Sequence, residues 1–124
     1  MNYTYSFEKL QVWHDSRELV KMIYSITRKF PVTEKYGLVN QVNRCAISVV
    51  SNIAEGSGRT SAKDQAHFYQ IAFSSIIELL TQLIIGNDLV YLSETDLNNA
   101  RSLIEKISNK LNTLRKKCLE GLIR

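Results

Sequence analysis

The sequence predicts an all-α protein: an antiparallel up-down-up-down four-helix bundle forming one domain over residues 1–124. Three observations predict it. Apolar residues recur at three-four spacing in four separate segments, the period of a helix with one buried face. Pro31 and the pair Gly56 and Gly58 fall between segments, where a helix has to stop. Ser61 and Ser93 each precede an acid by three residues (Asp64 and Asp96), the pattern of a capped helix start. Approximate helix bounds are 10–30, 34–55, 62–92 and 94–122.

In the first helix Leu19, Ile23, Ile26 and Phe30 step by four, three and four, with Trp13, Val20 and Tyr24 alongside. Pro31 ends it, because proline cannot extend the hydrogen-bond ladder. In the second, Val39, Val42, Ala46, Val49 and Ile53 keep the alternation up to the glycine pair. The third carries Phe68, Ala72, Ser75, Leu79 and Leu83 on one stripe, and Gly86-Asn87 is a place for it to bend or loosen. The fourth holds Leu97, Ala100, Ile104, Ile107, Leu111, Leu114 and Cys118 in an unbroken bundle seam. Short loops between such helices favour antiparallel neighbours.

A chain of 124 residues fits one domain, and 44% hydrophobic with 23% charged residues excludes a disordered chain. One proline and five glycines argue against a turn-rich all-β fold. No cationic stretch followed by an apolar one opens the sequence, so an export signal is not expected and the cytoplasm is the expected location. The longest apolar run, "IIELLTQLII" (76–85), contains Glu78, Thr81 and Gln82, so no membrane span and no membrane partner are expected. Cys45 and Cys118 lack C-x-x-C spacing and read as reduced, small apolar side chains.

The third helix is greasier than a monomer requires. Ile77, Leu80, Ile84 and Ile85 lie outside its core stripe, although a bundle helix needs an apolar arc only somewhat over 100° wide. The surplus predicts self-association into a homo-oligomer.

Polar residues also keep a helical period. Gln41, Arg44, Ser48, Asn52 and Glu55 lie along one face of the second helix, where Ser74, Ser75 and Glu78 of the third are placed to meet them. They read either as a converging site or as a structural polar network; the favoured network is Gln41, Arg44, Ser48, Asn52, Glu55 and Glu78. Arg44 and Glu55 stand about 16 Å apart along one helix and cannot pair with each other. Glu55 therefore needs Arg59, Lys63 or the free N–H groups opening the third helix. Glu78 is the expected carboxylate for Arg44, on the adjacent helix or a neighbouring subunit.

No catalytic, cofactor or metal constellation is expected, and the protein reads as a non-enzyme. His14 and His67 lie on different helices without a Glu-x-x-His pair. "GSGRTS" (56–61) lacks the strand and lysine of a phosphate loop. Arg59 and His67 are spaced too widely for the Arg-His motif of helical-bundle ribonucleases.

Net charge is +4 and uneven: residues 101–124 contain seven Lys or Arg and two Glu. Lys106, Lys110 and Lys117 share one face of the fourth helix; Arg101 and Arg115 line a neighbouring strip, with Lys116 near. Arg59 and Lys63 flank the turn before the third helix. These eight are the candidate nucleic-acid contacts, each otherwise a solvated charge. Binding through them would be directed at the backbone, salt-sensitive and multiplied by oligomerisation.

"FEKLQVW" (7–13), "KFPVTEKYGLVNQVNRCAISVVSNIAEGSGR" (29–59) and "FYQIAFSSIIEL" (68–79) resemble the 23S rRNA intervening-sequence protein family of small bacterial four-helix-bundle proteins. The likeness rests on Phe30-Pro31, then Gln41, Arg44 and Asn52-Ile53-Ala54-Glu55-Gly56 in order. Cys45 and Ser74 depart from the small residue and the glycine common there. The family is itself similar to the accessory variability protein of diversity-generating retroelements, a basic pentameric barrel that binds nucleic acid and partners a reverse transcriptase. The resemblance implies a homopentameric ring, binding of RNA or DNA, and a possible protein partner such as a reverse transcriptase. The alternative function is a protein-interaction scaffold or accessory subunit.

Overall fold

The computed structural model describes residues 2–123. Among them are four long helices: α1 (Gln11–Thr27), α2 (Leu38–Ser57), α3 (Ala62–Asp88) and α4 (Glu94–Ile123), with 3-10 turns at Ser6–Lys9 and Val32–Glu34 and no strand. α1 packs on α2 and α4, and α3 packs on the same two, closing the bundle around one core. That core follows the periodic stripes in Leu19, Ile23 and Ile26 of α1, Val42, Ala46, Val49 and Ile53 of α2, and Ala100, Ile104, Ile107 and Leu111 of α4. In α3 it takes Ala72, Leu79 and Leu83 as expected, but Tyr69 and Ile76 join them and Phe68 lies outside the core. By mean hydropathy and length α3 alone of the described helices resembles a membrane span, yet its stripe fills this core.

The helix ends differ from the sequence expectation where side chains intervene. α1 stops at Thr27, whose hydroxyl donates to Asn43 Oδ1 of α2 at 2.9 Å. Turn bonds carry the chain on to Phe30, which is buried beyond the helix rather than within it. α2 starts at Leu38 rather than near residue 34, because Glu34 turns back to accept the Leu38 N–H at 3.1 Å. Its other oxygen accepts the Tyr91 hydroxyl, tying the loop to the far end of α3. The hydroxyls of Ser61 and Ser93 accept the N–H of Asp64 and Asp96, as the sequence predicts.

Both glycine expectations need correction. Gly56 does not stop α2, which runs on to Ser57 with Gly58 as its cap. A Cβ at Gly56 would stand 2.8 Å from the Tyr69 ring and 3.2 Å from Phe68 Cβ, so this glycine permits close approach of α2 and α3. Nor does Gly86 loosen α3: it gives room to Leu92 and the Phe30 ring.

α3 ends in a Schellman-type turn, with Tyr91 N–H donating to Gly86 O at 2.8 Å. The residue in the left-handed position is Val90, at φ 64°, a β-branched side chain where glycine is favoured. Val90 is 87% exposed and so has no packing to lose. Val90→Gly is expected to stabilise the fold by about 1 kcal/mol and raise Tm by about 3–5 °C, readable by thermal circular dichroism. An unchanged or lower Tm would mean that the turn does not strain Val90.

Candidate nucleic-acid interface

The polar line of α2 meets α3 only in its middle. Ser48 and Ser75 share a hydrogen bond of 2.8 Å between hydroxyls, and Asn52 Nδ2 donates to Ser48 O and Oγ at 2.8 and 3.1 Å. Ser74 lies outside this set, accepting from Gln70 on the exposed side of α3. Glu55 takes the cation expected of it, Arg59, at 3.3 Å one turn on.

Arg44 and Glu78 line one groove of about 330 Å³ with Gln41, Ser48, Ser75 and Gln82, yet they form no ion pair within the protomer. Gln82 donates to Glu78 Oε1 at 3.3 Å, which leaves its own Oε1 buried without a partner. Burial, and then the Glu78 charge, push the Cys45 thiol up to about 11, so it stays protonated and donates to Ser75 O. Cys45 and Cys118 are both free thiols.

The eight candidate cations fall into three groups. Lys106 and Lys110 are drawn onto Asp15 of α1, at 3.5 and 2.6 Å. Asp15 is buried and is also held by Gln11 at 3.0 Å. Burial by itself would raise its pKa, but hydrogen bonds from Lys110 and Gln11 and the charges of Lys110 and Lys106 outweigh that and hold it below 3.8. Arg101 stands alone on α4, about 21 Å along the helix from Arg115.

The remaining five share one end of the bundle. There the start of α3 meets the last turns of α4, with Cys118 facing Gln65 and Arg115 bonded to Gln70. Lys63 opens α3; Lys116 and Lys117 follow Arg115 along α4, with Lys117 on the face of Lys106 and Lys110. Among the described residues Lys63, Arg115, Lys116 and Lys117 make no ion pair. Arg115 sits 5.5 Å from the Phe73 ring centroid, and Arg59 is stacked 4.3 Å from that of Phe68.

Sequence reasoning missed Asp15. Its signal is its place within the apolar period of α1, between Val12 and Leu19, where an acid needs a cation from another helix. A carboxylate with a depressed pKa stabilises the fold fully above its unfolded value, near 3.8, and loses that contribution as pH falls through the folded value. Asp15→Asn is therefore expected to cost about 1.5–3 kcal/mol at pH 7 in urea unfolding. The deficit should shrink below pH 3.8. A deficit independent of pH would assign the cost to packing instead.

Four helices closed around one core, with a motif line of polar residues between α2 and α3, define a small helical-bundle protein. The chain belongs to the 23S rRNA-intervening sequence protein family, whose sequence model matches residues 8–113. The comparison with curated proteins gives no match.

Proposed function

We propose that this protein is a non-catalytic, cytoplasmic homo-oligomer that binds RNA or DNA by its backbone through the basic end of the bundle. The observation that carries the reading is that Arg59, Lys63, Arg115, Lys116 and Lys117 all lie at the same end of the bundle, four of them without an ion pair among the described residues. Closely placed cations contact successive phosphates and release their counterions together. The up-down-up-down arrangement supports this placement: Lys29 meets Asp96 while Asp15 meets Lys110, so α1 and α4 run in opposite directions.

Oligomerisation is supported by the α3 surplus. Ile77, Ile84 and Ile85 remain 46%, 36% and 45% exposed. Phe73, Ile77, Leu80 and Ile84, spaced four, three and four, share one side of α3, with Ile77 and Ile84 exposed and Phe73 and Leu80 half-buried against the core. Ile47 and Tyr24 are exposed on the α1–α2 side. Two different apolar faces suit a head-to-tail contact that closes into a ring, of which the pentamer is the reading taken here. The unpaired Arg44 and Glu78 and the orphaned Gln82 oxygen fit a contact completed by a neighbouring subunit. A protein partner such as a reverse transcriptase, seated on the α3 strip, is the second reading; it predicts a monomer in isolation.

The cation groups should separate in a filter-binding measurement. Lys116→Glu with Lys117→Glu is expected to weaken nucleic-acid binding at least about tenfold. Lys106→Glu with Lys110→Glu should act less on binding and more on stability, because Asp15 already holds those two. Equal loss from both pairs would place the contact along all of α4, and no loss from either would remove it from α4.

A further inference from the structure

The N-terminal residues carry more aromatic surface than the bundle uses. Tyr3 and Tyr5 meet edge to face at 4.9 Å, Tyr5 stacks on Phe7 at 5.9 Å, and Phe7 leans on Trp13 at 4.8 Å. Arg17 lies over the Trp13 ring at 4.9 Å. Trp13 packs against the core, and Phe7 is half-buried beside it. Tyr3 and Tyr5 are 77% and 57% exposed.

The segment is nonetheless anchored. The Tyr5 N–H donates to Glu8 Oε2 at 3.0 Å, and the Ser6 hydroxyl donates to the Ser57 carbonyl of α2 at 3.2 Å. His14 Nε2 meets the Glu8 carbonyl at 2.7 Å. Phe7 then lines a groove of about 530 Å³ together with Phe68, Ser51, Asn52 and Glu55. Arg59 covers the Phe68 ring. The aromatic run and the basic end therefore meet at one groove.

We infer that this groove and the Tyr3–Tyr5 run form a stacking site for single-stranded nucleic acid. The inference rests on the nucleic-acid reading above and names its substrate class. Unpaired bases stack on aromatic rings regardless of their identity, while flanking cations follow the backbone. A duplex keeps its bases stacked on each other and gains nothing from exposed tyrosines. The groove presents Phe7 and Phe68 as its two aromatic lining residues, with Ser51 and Asn52 as polar ones. Glu55, already neutralised by Arg59, is placed to accept from a base amino group rather than to repel a phosphate.

The test is fluorescence anisotropy with labelled RNA and DNA strands of about 12 nucleotides, each also as its duplex. Wild-type protein is compared with Tyr3→Ala/Tyr5→Ala and with Tyr3→Phe/Tyr5→Phe. Single strands should bind at least about tenfold tighter than duplexes, and the alanine pair should lose about tenfold on single strands. The phenylalanine pair should bind as wild type, the duplex affinity should stay within about twofold, and the strand should quench Trp13, the only tryptophan. Tighter binding of the RNA strand than of the DNA strand would mark contact with the ribose hydroxyl. Wild-type binding of single strands by the alanine pair overturns the stacking site and leaves the backbone reading intact. Absence of binding to strands and duplexes alike at about 50 mM salt overturns both.

Discussion

Ile77→Asp combined with Ile84→Asp is expected to convert the assembly into monomers of 14.2 kDa, read by light scattering, without unfolding them. Both side chains lie on the outward strip of α3, away from Ala72, Ile76, Leu79 and Leu83, which hold the protomer together. Water-exposed isoleucine offers the free protomer little, so aspartate there costs the fold little. Across an interface the same change buries a charge with no partner, at several kcal/mol for each site. Loss of the proposed ring would remove the linkage between weak phosphate contacts, so nucleic-acid affinity should fall by about 100-fold or more. A variant that stays assembled would move the interface off this strip. A monomeric wild type would instead favour the partner-protein reading.

Gly56→Val is expected to be the most damaging single change in the motif "AEG". The first added carbon meets the Tyr69 ring at 2.8 Å. Tyr69 is 4% exposed and part of the core, and Phe68 Cβ stands 3.2 Å from the same added carbon. Valine adds two more methyl groups to the same gap. Alanine alone would return about 1 kcal/mol of helix propensity, which partly offsets the collision. Valine returns less and pushes α2 and α3 apart, for a loss of about 2–4 kcal/mol in urea unfolding. The movement also opens the Phe7–Phe68 groove, so single-strand binding should fall with stability. Unchanged stability would show that the two helices separate freely at this point.

Much of this bundle is legible in the sequence because helix periodicity, proline and capping serines are local signals. The core stripes of α1, α2 and α4 follow the three-four alternation residue by residue. The α3 stripe is less clear: the spacing places Ile77 outside it, but it also puts Phe68 inside and passes over Ile76, which the core takes. What was not legible depends on contacts between distant segments. Gly56 reads as a helix stop from its type and neighbours, whereas its use is set by Tyr69 across the helix pair. Nothing in the sequence singles out Glu34, which accepts the Leu38 N–H at the start of α2 and binds Tyr91. Lys106 and Lys110 read as a free basic face until Asp15 is brought against them. Glu55 was readable because its partner, Arg59, lies one turn away in the chain.

The account's central claim is that the assembled bundle binds nucleic-acid backbones through the cations at one end. The most direct test is the slope of log affinity against log salt for a single-stranded RNA, in wild type and in Lys116→Glu/Lys117→Glu. The account predicts binding at about 50 mM salt, a wild-type slope of about −2 or steeper, and a slope flatter by about 1–2 in the variant. A slope near zero, or one that the two substitutions leave unchanged, would contradict it.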